Sequence, residues 1–284
     1  MAVQSHWFSV GSVVTWGRAG VGTVATQSIA EPAYGPRLLD ALAGGEEPRE
    51  ALQRLVGADP QGRFRQVACV RADGMVAVHT GESCIAFAGH REGEGFSAQA
   101  NMMANDRIWG AMAEAFESAD GSLARRMMAA LDGAEAAGGD ARGRQSAALL
   151  VVPAQGEEWN RWELRVEDHA EPLDELRRLI GVQEAYELAS KADDAMGEGR
   201  HDDAARYGAE ALALAPDNHE LLFWAGLGMA QSGDLGGGVE MVRRAIALQP
   251  GWVELLRRLE PDIAPSASAV LAALAPEQTA QRAE

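Results

Sequence analysis

Apolar positions in residues 1–180 repeat at two periods, every second residue and every third to fourth, and the switches between them predict the order of elements. Residues 1–16 mix β-branched and aromatic side chains with Gly11 as a break, predicting one strand to about Val10 and a second through Val13 and Val14. Residues 20–27 continue in the same style. Residues 34–43 and 48–57 then take helical spacing, the second opening on Pro48 and placing Ala51, Leu52, Leu55 and Val56 on one face. Strands at 65–71 and 75–79 flank Asp73-Gly74, a dipeptide that favours a tight hairpin turn. A further pair is expected at 83–88 and 96–101, joined by a loop at 90–95. The helical patterns at 106–118 and 122–137 are rich in Ala and Met, and their stripe of Trp109, Met112, Ala113 and Phe116 reads as core. Strands at 145–152 and 162–166 and a helix at 172–180 complete a layered α/β domain with largely antiparallel sheet.

After Gly181 the pattern becomes wholly helical and repeats. Residues 211–216 (Ala-Leu-Ala-Leu-Ala-Pro) align with 245–250 (Ala-Ile-Ala-Leu-Gln-Pro) at an offset of 34, which also maps Gly199 onto Gly233 and Leu188 onto Leu222. That period resembles tetratricopeptide repeats, with flanking helices near Leu176 and Leu255 capping the stack. Gly236-Gly237-Gly238 at the start of the last repeat's second helix weakens it by about 1 kcal/mol per Gly relative to Ala, so fraying is expected there. The tail after Pro265, rich in Ala, Pro and Gln, is expected to be flexible. The boundaries are therefore 1–181, 182–262 and 263–284.

Composition narrows the partners. The formal charge of −17 disfavours nucleic acid and acidic membrane surfaces, both of which need clustered Lys and Arg. Residues 171–284 carry 20 acidic and 10 basic side chains, so the helical part holds more of the excess. Lys191 is the sole lysine, which excludes most lysine-based chemistry. Cys69 and Cys84 are too few for a disulfide scaffold, and no apolar run reaches the roughly 18 residues of a membrane span, which predicts a cytoplasmic protein.

Candidate chemistry sits where polar residues meet strand ends. The glycine-rich run 138–146 feeds directly into the apolar residues 147–152, placing Asp140, Arg142 and Ser146 at the lip of a sheet. Ser146 reads more readily as a hydrogen-bonded strand hydroxyl than as a nucleophile, because no G-x-S-x-G elbow surrounds it. Gln99 and Asn101, two apart on one strand, face the same way and can hold a carbonyl or an oxyanion, or form an edge-strand polar pair. His79 closes a hairpin strand and His90 lies in the adjoining loop, both within reach of a substrate cleft. Neither has metal-ligand spacing, and Gly20-Val-Gly22-Thr-Val-Ala25 fits a loosened dinucleotide fingerprint but lacks the helix that must follow it. No metal or cofactor is implied.

Several separated motifs occur in an order that resembles a bacterial family, Domain of Unknown Function 1028. They are residues 3–11 (Val-Gln-Ser-His-Trp-Phe-Ser-Val-Gly), 20–27, Tyr34-Gly-Pro36, His79-Thr-Gly81, 89–101 and 139–148, with Ala100 standing where the family more usually has Gly. The resemblance covers about residues 1–180 and implies a fold similar to the N-terminal nucleophile hydrolases, an α+β four-layer αββα sandwich. In such enzymes a Thr, Ser or Cys at position one attacks an amide while its own α-amine serves as base. Members usually begin with a further strand, opening on a Thr-Phe-Ser type sequence, upstream of the segment matching Ala2-Val3-Gln4. Removal of Met1 here exposes Ala2, which carries no nucleophilic atom. The expectation is that the true start lies upstream; the alternative is a truncated, non-catalytic member.

The resemblance thus implies an amidohydrolase-type domain acting on a small amide or peptide, joined to a helical-repeat module that takes a protein or peptide partner. His79, His90, Gln99, Asn101, Asp140, Arg142 and Ser146 are its substrate-contact candidates, and the sequence names none of them as the nucleophile. A non-catalytic scaffold acting through the repeats is the alternative, and homo-oligomer formation is compatible with either.

Overall fold

The structure, a computed structural model, describes residues 1–275. Residues 1–180 form one unit and a second begins at Gly181. The first unit runs β1 (Ala2–Ser5), α1 (Gly11–Val14), β2 (Thr15–Arg18), β3 (Gly22–Ser28), α2 (Tyr34–Ala43), α3 (Pro48–Ala58), β4 (Arg65–Arg71) and β5 (Val76–Thr80). It continues through β6 (Gly89–Gly93), β7 (Phe96–Ala100), α4 (Ile108–Ser118), α5 (Leu123–Ala136), β8 (Ser146–Val151) and β9 (Trp162–Val166) into α6 (Pro172–Gly197). Mixed α and β elements with a helical C-terminal part make this an α+β chain.

The strands pair antiparallel in three sheets, ordered β1-β8-β9, β2-β3-β4-β5 and β6-β7. Alternation decides what each sheet covers. Val24, Val67, Cys69 and Ala77 of the four-stranded sheet pack under Leu38 and Leu42 of α2 and Ala51 and Leu52 of α3. Ala147 and Leu149 of β8 with Val166 of β9 pack under Met127, Met128 and Leu131 of α5. The opposite faces of these two sheets meet. A Cβ on Gly17 of β2 would lie 2.8 Å from Val152 Cγ1, so only glycine permits that approach.

Two strand expectations are corrected. Residues 13–14 lie in a helical turn, in which Val13 and Val14 both donate to Val10 O. Residues 83–88 form no strand, because their backbone bonds go elsewhere: Ser83 donates to Arg63 O, Cys84 to Gly81 O and Phe87 to Met103 O. The strand occupies Gly89–Gly93, where a loop was expected, since the two-residue turn Glu94-Gly95, with Gly95 at φ 73°, sets the register of β6 on β7.

The second unit holds the rest of α6 followed by α7 (His201–Leu214), α8 (His219–Gln231), α9 (Leu235–Leu248), α10 (Trp252–Arg258) and α11 (Ala267–Leu274). α7 and α9 match in length and are offset by the 34 residues read from the sequence. Phe223 is fully buried and stacks on Trp252 with ring centroids 4.5 Å apart, among Leu222, Val242 and Leu256. The expected fraying at Gly236–Gly238 is corrected. α9 is continuous, Asp234 Oδ1 accepts from Gly237 N at 2.9 Å, and a Cβ on Gly238 would lie only 2.4 Å from Gly226 O of α8. The glycine lets the two helices touch, which offsets its low propensity. The expected flexible tail is corrected over 263–275, where Ala264, Ala267 and Val270 are buried in this core; residues 276–284 lie outside the described residues.

Candidate functional site

Between the facing sheets of the first unit lies a cleft of about 640 Å³, within the range of small-molecule and cofactor sites. One end is apolar, lined by Met1, Val3, Val70, Phe96 and Phe116. The other carries Ser5, Gln27, Ser28, Asn101, Asp140 and Arg142. Sheet register explains the division. Gln27 of β3 pairs with Gln66 of β4, which pairs with Thr80 of β5, and Ser5 of β1 pairs with Ser146 of β8, so polar rows of both sheets fall at one end.

Gln66 organises that end. It is fully buried, and its Nε2 donates to Thr80 Oγ1 at 2.8 Å, Gly89 O at 3.1 Å and Ala100 O at 3.0 Å. Its Oε1 accepts from Gln27 Nε2 at 2.7 Å and Asn101 Nδ2 at 3.1 Å. Beside it the Asp140 carboxylate, 4% exposed, accepts from Arg142 N, Nε and Nη2 at 2.9, 3.0 and 2.7 Å, and from His6 N at 3.4 Å. Arg142 Nη2 also reaches Ser5 Oγ at 3.3 Å. The Asp140 hydrogen bond holds the Arg142 guanidinium above its ordinary value.

The sequence candidates separate into three groups. Asn101, Asp140 and Arg142 are brought together at the polar end of the cleft. Gln99 lines the cleft, but its Oε1 accepts from Ser97 Oγ at 2.8 Å on its own strand rather than pairing with Asn101, whose Nδ2 donates to Gln66. Ser146 is buried and spent: its Oγ accepts from Val10 N at 3.0 Å and donates to Trp7 O. His90 lies outside the cleft lining, with Nδ1 2.8 Å from Thr80 Oγ1, and burial lowers its pKa from the ordinary value. His79 turns to the opposite face of its sheet, toward α3, and its Nε2 donates to Gly62 O at 3.0 Å.

Gln27, Gln66, Ser5 and Ser28 were missed by sequence reading. The signal available was a glutamine in the otherwise apolar run 66–70. Backbone strain gathers at the same end: Ser28 and Met102, both lining the cleft, hold φ of 71° and 58°. Ser28 Oγ and Gln4 Nε2 are buried without a hydrogen-bond partner among the described residues. No group of three or more His, Cys, Asp or Glu able to hold a metal occurs among the described residues, and no described helix is long and apolar enough to cross a membrane.

Comparison with known proteins places this unit. No curated protein matches the chain. The crystal structure of protein SPO2555 from Silicibacter pomeroyi, assigned to the same family model as this chain, is similar at 30% identity and a TM-score of 0.58, covering 63% of this chain and 77% of that one. A family model, the family of unknown function DUF1028, matches residues 1–176. With its polar cleft end built from motifs inside that span, the chain belongs to the DUF1028 family.

Proposed function

We propose that the first unit binds an amide-bearing ligand, a small amide or peptide, in the inter-sheet cleft, and that its fold is of the N-terminal nucleophile hydrolase type, so that amide hydrolysis is the activity to assay. The observation that carries this reading is the row of side-chain amides at the polar end of the cleft. Gln27 and Asn101 each spend one N–H on Gln66, which leaves each a second N–H and a carbonyl oxygen to pair with a ligand amide. The apolar remainder of the cleft suits an uncharged ligand body. Cys69, the buried thiol of this sheet, faces α2 and α3, and burial pushes it up to about 11, which does not favour a thiolate nucleophile. The test is a thermal-shift and calorimetric screen of N-acetyl dipeptide amides, with mass spectrometry for cleavage. Binding that Asn101→Ala or Gln27→Ala weakens at least tenfold supports the reading, and binding indifferent to both substitutions overturns it.

A second reading, partner docking on the tetratricopeptide-like helices, is favoured by Trp224 and Met229, which remain exposed on α8. Capture of a partner by the full chain and its loss in Trp224→Ala would support it.

A further inference from the structure

We propose that a second pocket, on the face of the four-stranded sheet opposite the cleft, binds a small apolar α-amino acid as its zwitterion. The pocket, of about 380 Å³, is built from residues 56–82 alone: the end of α3, the turn Gly62–Phe64 and the chain leaving β5. Its volume lies at the lower end of small-molecule sites. Alternation divides the motif His79-Thr-Gly81 between the two faces: Thr80 bonds Gln66 at the polar end of the cleft, and His79 lines the pocket. Gly62 O can only accept, so His79 Nε2 carries the hydrogen of their 3.0 Å bond, and Nδ1 of the neutral ring is an acceptor without a partner among the described residues.

Two opposite charges line the same pocket and do not pair with each other. Arg63 lies over the Phe64 ring at 4.6 Å, and neither its guanidinium nor the Glu82 carboxylate has an ionic or hydrogen-bonded partner among the described residues. Asp59, by contrast, is spent: it accepts from Arg65 Nε at 2.8 Å, Tyr34 OH at 3.1 Å and Gln61 N at 2.8 Å, and the Arg65 charge balances it. The backbone sets the open groups side by side. Gly81 N donates to Arg65 O and Ser83 N to Arg63 O, both at 2.9 Å, so Glu82 leaves the chain between two residues paired with the Arg63–Arg65 segment. A Cβ on Gly81 would lie 2.1 Å from Arg63 O, and only glycine lets the strand end close on the turn. A lone carboxylate entering here meets Glu82 and a lone amine meets Arg63, each a like-charge contact. A zwitterion sets its carboxylate on Arg63 and its ammonium on Glu82 and His79 Nδ1. Charges on neighbouring backbone positions suit an α-amino acid, whose two charged groups share one carbon, and Val56 and Pro60 give its side chain an apolar wall. This site stands apart from the amide-binding reading, because the polar end of the cleft is neutral whereas the pocket holds two open charges.

The experiment titrates the full chain with L-leucine by calorimetry and follows its backbone amides by NMR. Isocaproate, which lacks the ammonium, and isoamylamine, which lacks the carboxylate, are the controls, and none of the three ligands carries an amide. Expected are saturable leucine binding with a Kd tighter than about 10 mM, amide shifts at residues 62–63 and 79–83, and binding of either control at least tenfold weaker. Arg63→Gln and Glu82→Gln, on exposed residues whose replacement spares the fold, should each weaken leucine at least tenfold. Arg63→Gln should not weaken isoamylamine, nor Glu82→Gln isocaproate. Absence of saturation in that range, equal binding of the three ligands, or indifference to both substitutions overturns the proposal. Leucine binding that Asn101→Ala abolishes and the two pocket variants retain would place the amino acid in the cleft, which overturns the second site and leaves the amide reading standing.

Discussion

Replacing Gln66 by Leu removes five hydrogen bonds from a fully buried site while leaving the side-chain volume nearly unchanged. A typical bond contributes about 1 kcal/mol net, and a buried group left without a partner costs about 1–3 kcal/mol. Gly89 and Ala100 are register partners and keep the β6–β7 ladder, and the Thr80 hydroxyl keeps His90 Nδ1, so the groups left short are the Gln27 and Asn101 amides. The expected loss is about 3–5 kcal/mol in the stability of the first unit. Because the chain has two units, a single melt mixes their transitions. The appropriate measure is native-state hydrogen exchange at the slowest amides of β3 and β4, such as Val24 and Val67. Gln66→Glu provides the matching pH test. Burial beside the Gly89 and Ala100 carbonyls raises the folded pKa of the new carboxyl above its unfolded value of about 4.3. The protonated acid donates one bond, so stability is fully present below pH of about 4 and falls as pH rises through the folded pKa. A Leu variant within about 1 kcal/mol of the parent, or a Glu variant flat between pH of about 4 and 8, would refute the reasoning.

Gly238→Ala should speed native-state hydrogen exchange at the slowest amides of α8 and α9, because its Cβ would meet Gly226 O at 2.4 Å and Ala230 Cβ at 2.8 Å, an overpacking cost of about 1–3 kcal/mol. Gly236→Ala meets nothing nearer than 3.8 Å and should instead stabilise α9 by up to about 1 kcal/mol. Ser146→Ala leaves the buried Val10 N–H without its acceptor and should cost about 1–3 kcal/mol by the same exchange measurement, while ligand binding stays unchanged. Asp59 accepts from Arg65 at 2.8 Å and from Tyr34 at 3.1 Å, and the Arg65 bond holds its pKa below the ordinary carboxylate value. Its contribution is therefore present above pH of about 4 and lost as pH falls through the folded pKa, so Asp59→Asn should flatten the acid limb of the stability profile. At the polar end of the cleft, a peptide amide should bind at least tenfold more tightly than the same peptide as a free acid in a calorimetric titration.

Where a pattern had one physical solution, the sequence revealed it. Pro48 at a helix start, the stripe of Met112, Ala113 and Phe116, and the offset of 34 residues each became the expected element. Residues 83–88 misled because their β-prone composition competes with a turn at Gly95 that fixes the pairing of residues further along. The site was half legible. Asn101, Asp140 and Arg142 stand at strand ends, where local sequence points to them. Gln27 and Gln66 lie 39 residues apart in the chain, and only the β3–β4 register brings them together. His79 looked equivalent to His90, yet the period of two sends it to the other face.

The bonding capacity of each polar group separates scaffold from recognition. Gln66 is saturated, since both its N–H groups and both lone pairs of its oxygen are engaged, and it can offer a ligand nothing. Its role is to hold Gln27 and Asn101 still, which lowers the ordering cost of any bond they make. The Arg142 charge is neutralised beside it, because the Asp140 carboxylate, itself almost wholly buried, accepts from the guanidinium Nε and Nη2 as well as from the Arg142 backbone N–H. The pair is neutral, so this end carries directional donors and acceptors without net charge. A carboxylate entering it would lose its water and gain no free cation, whereas an amide matches the geometry of Gln27 and Asn101 at no such cost. In a chain of formal charge −17, a site that selects a neutral amide also avoids the long-range repulsion an anionic ligand would meet on approach.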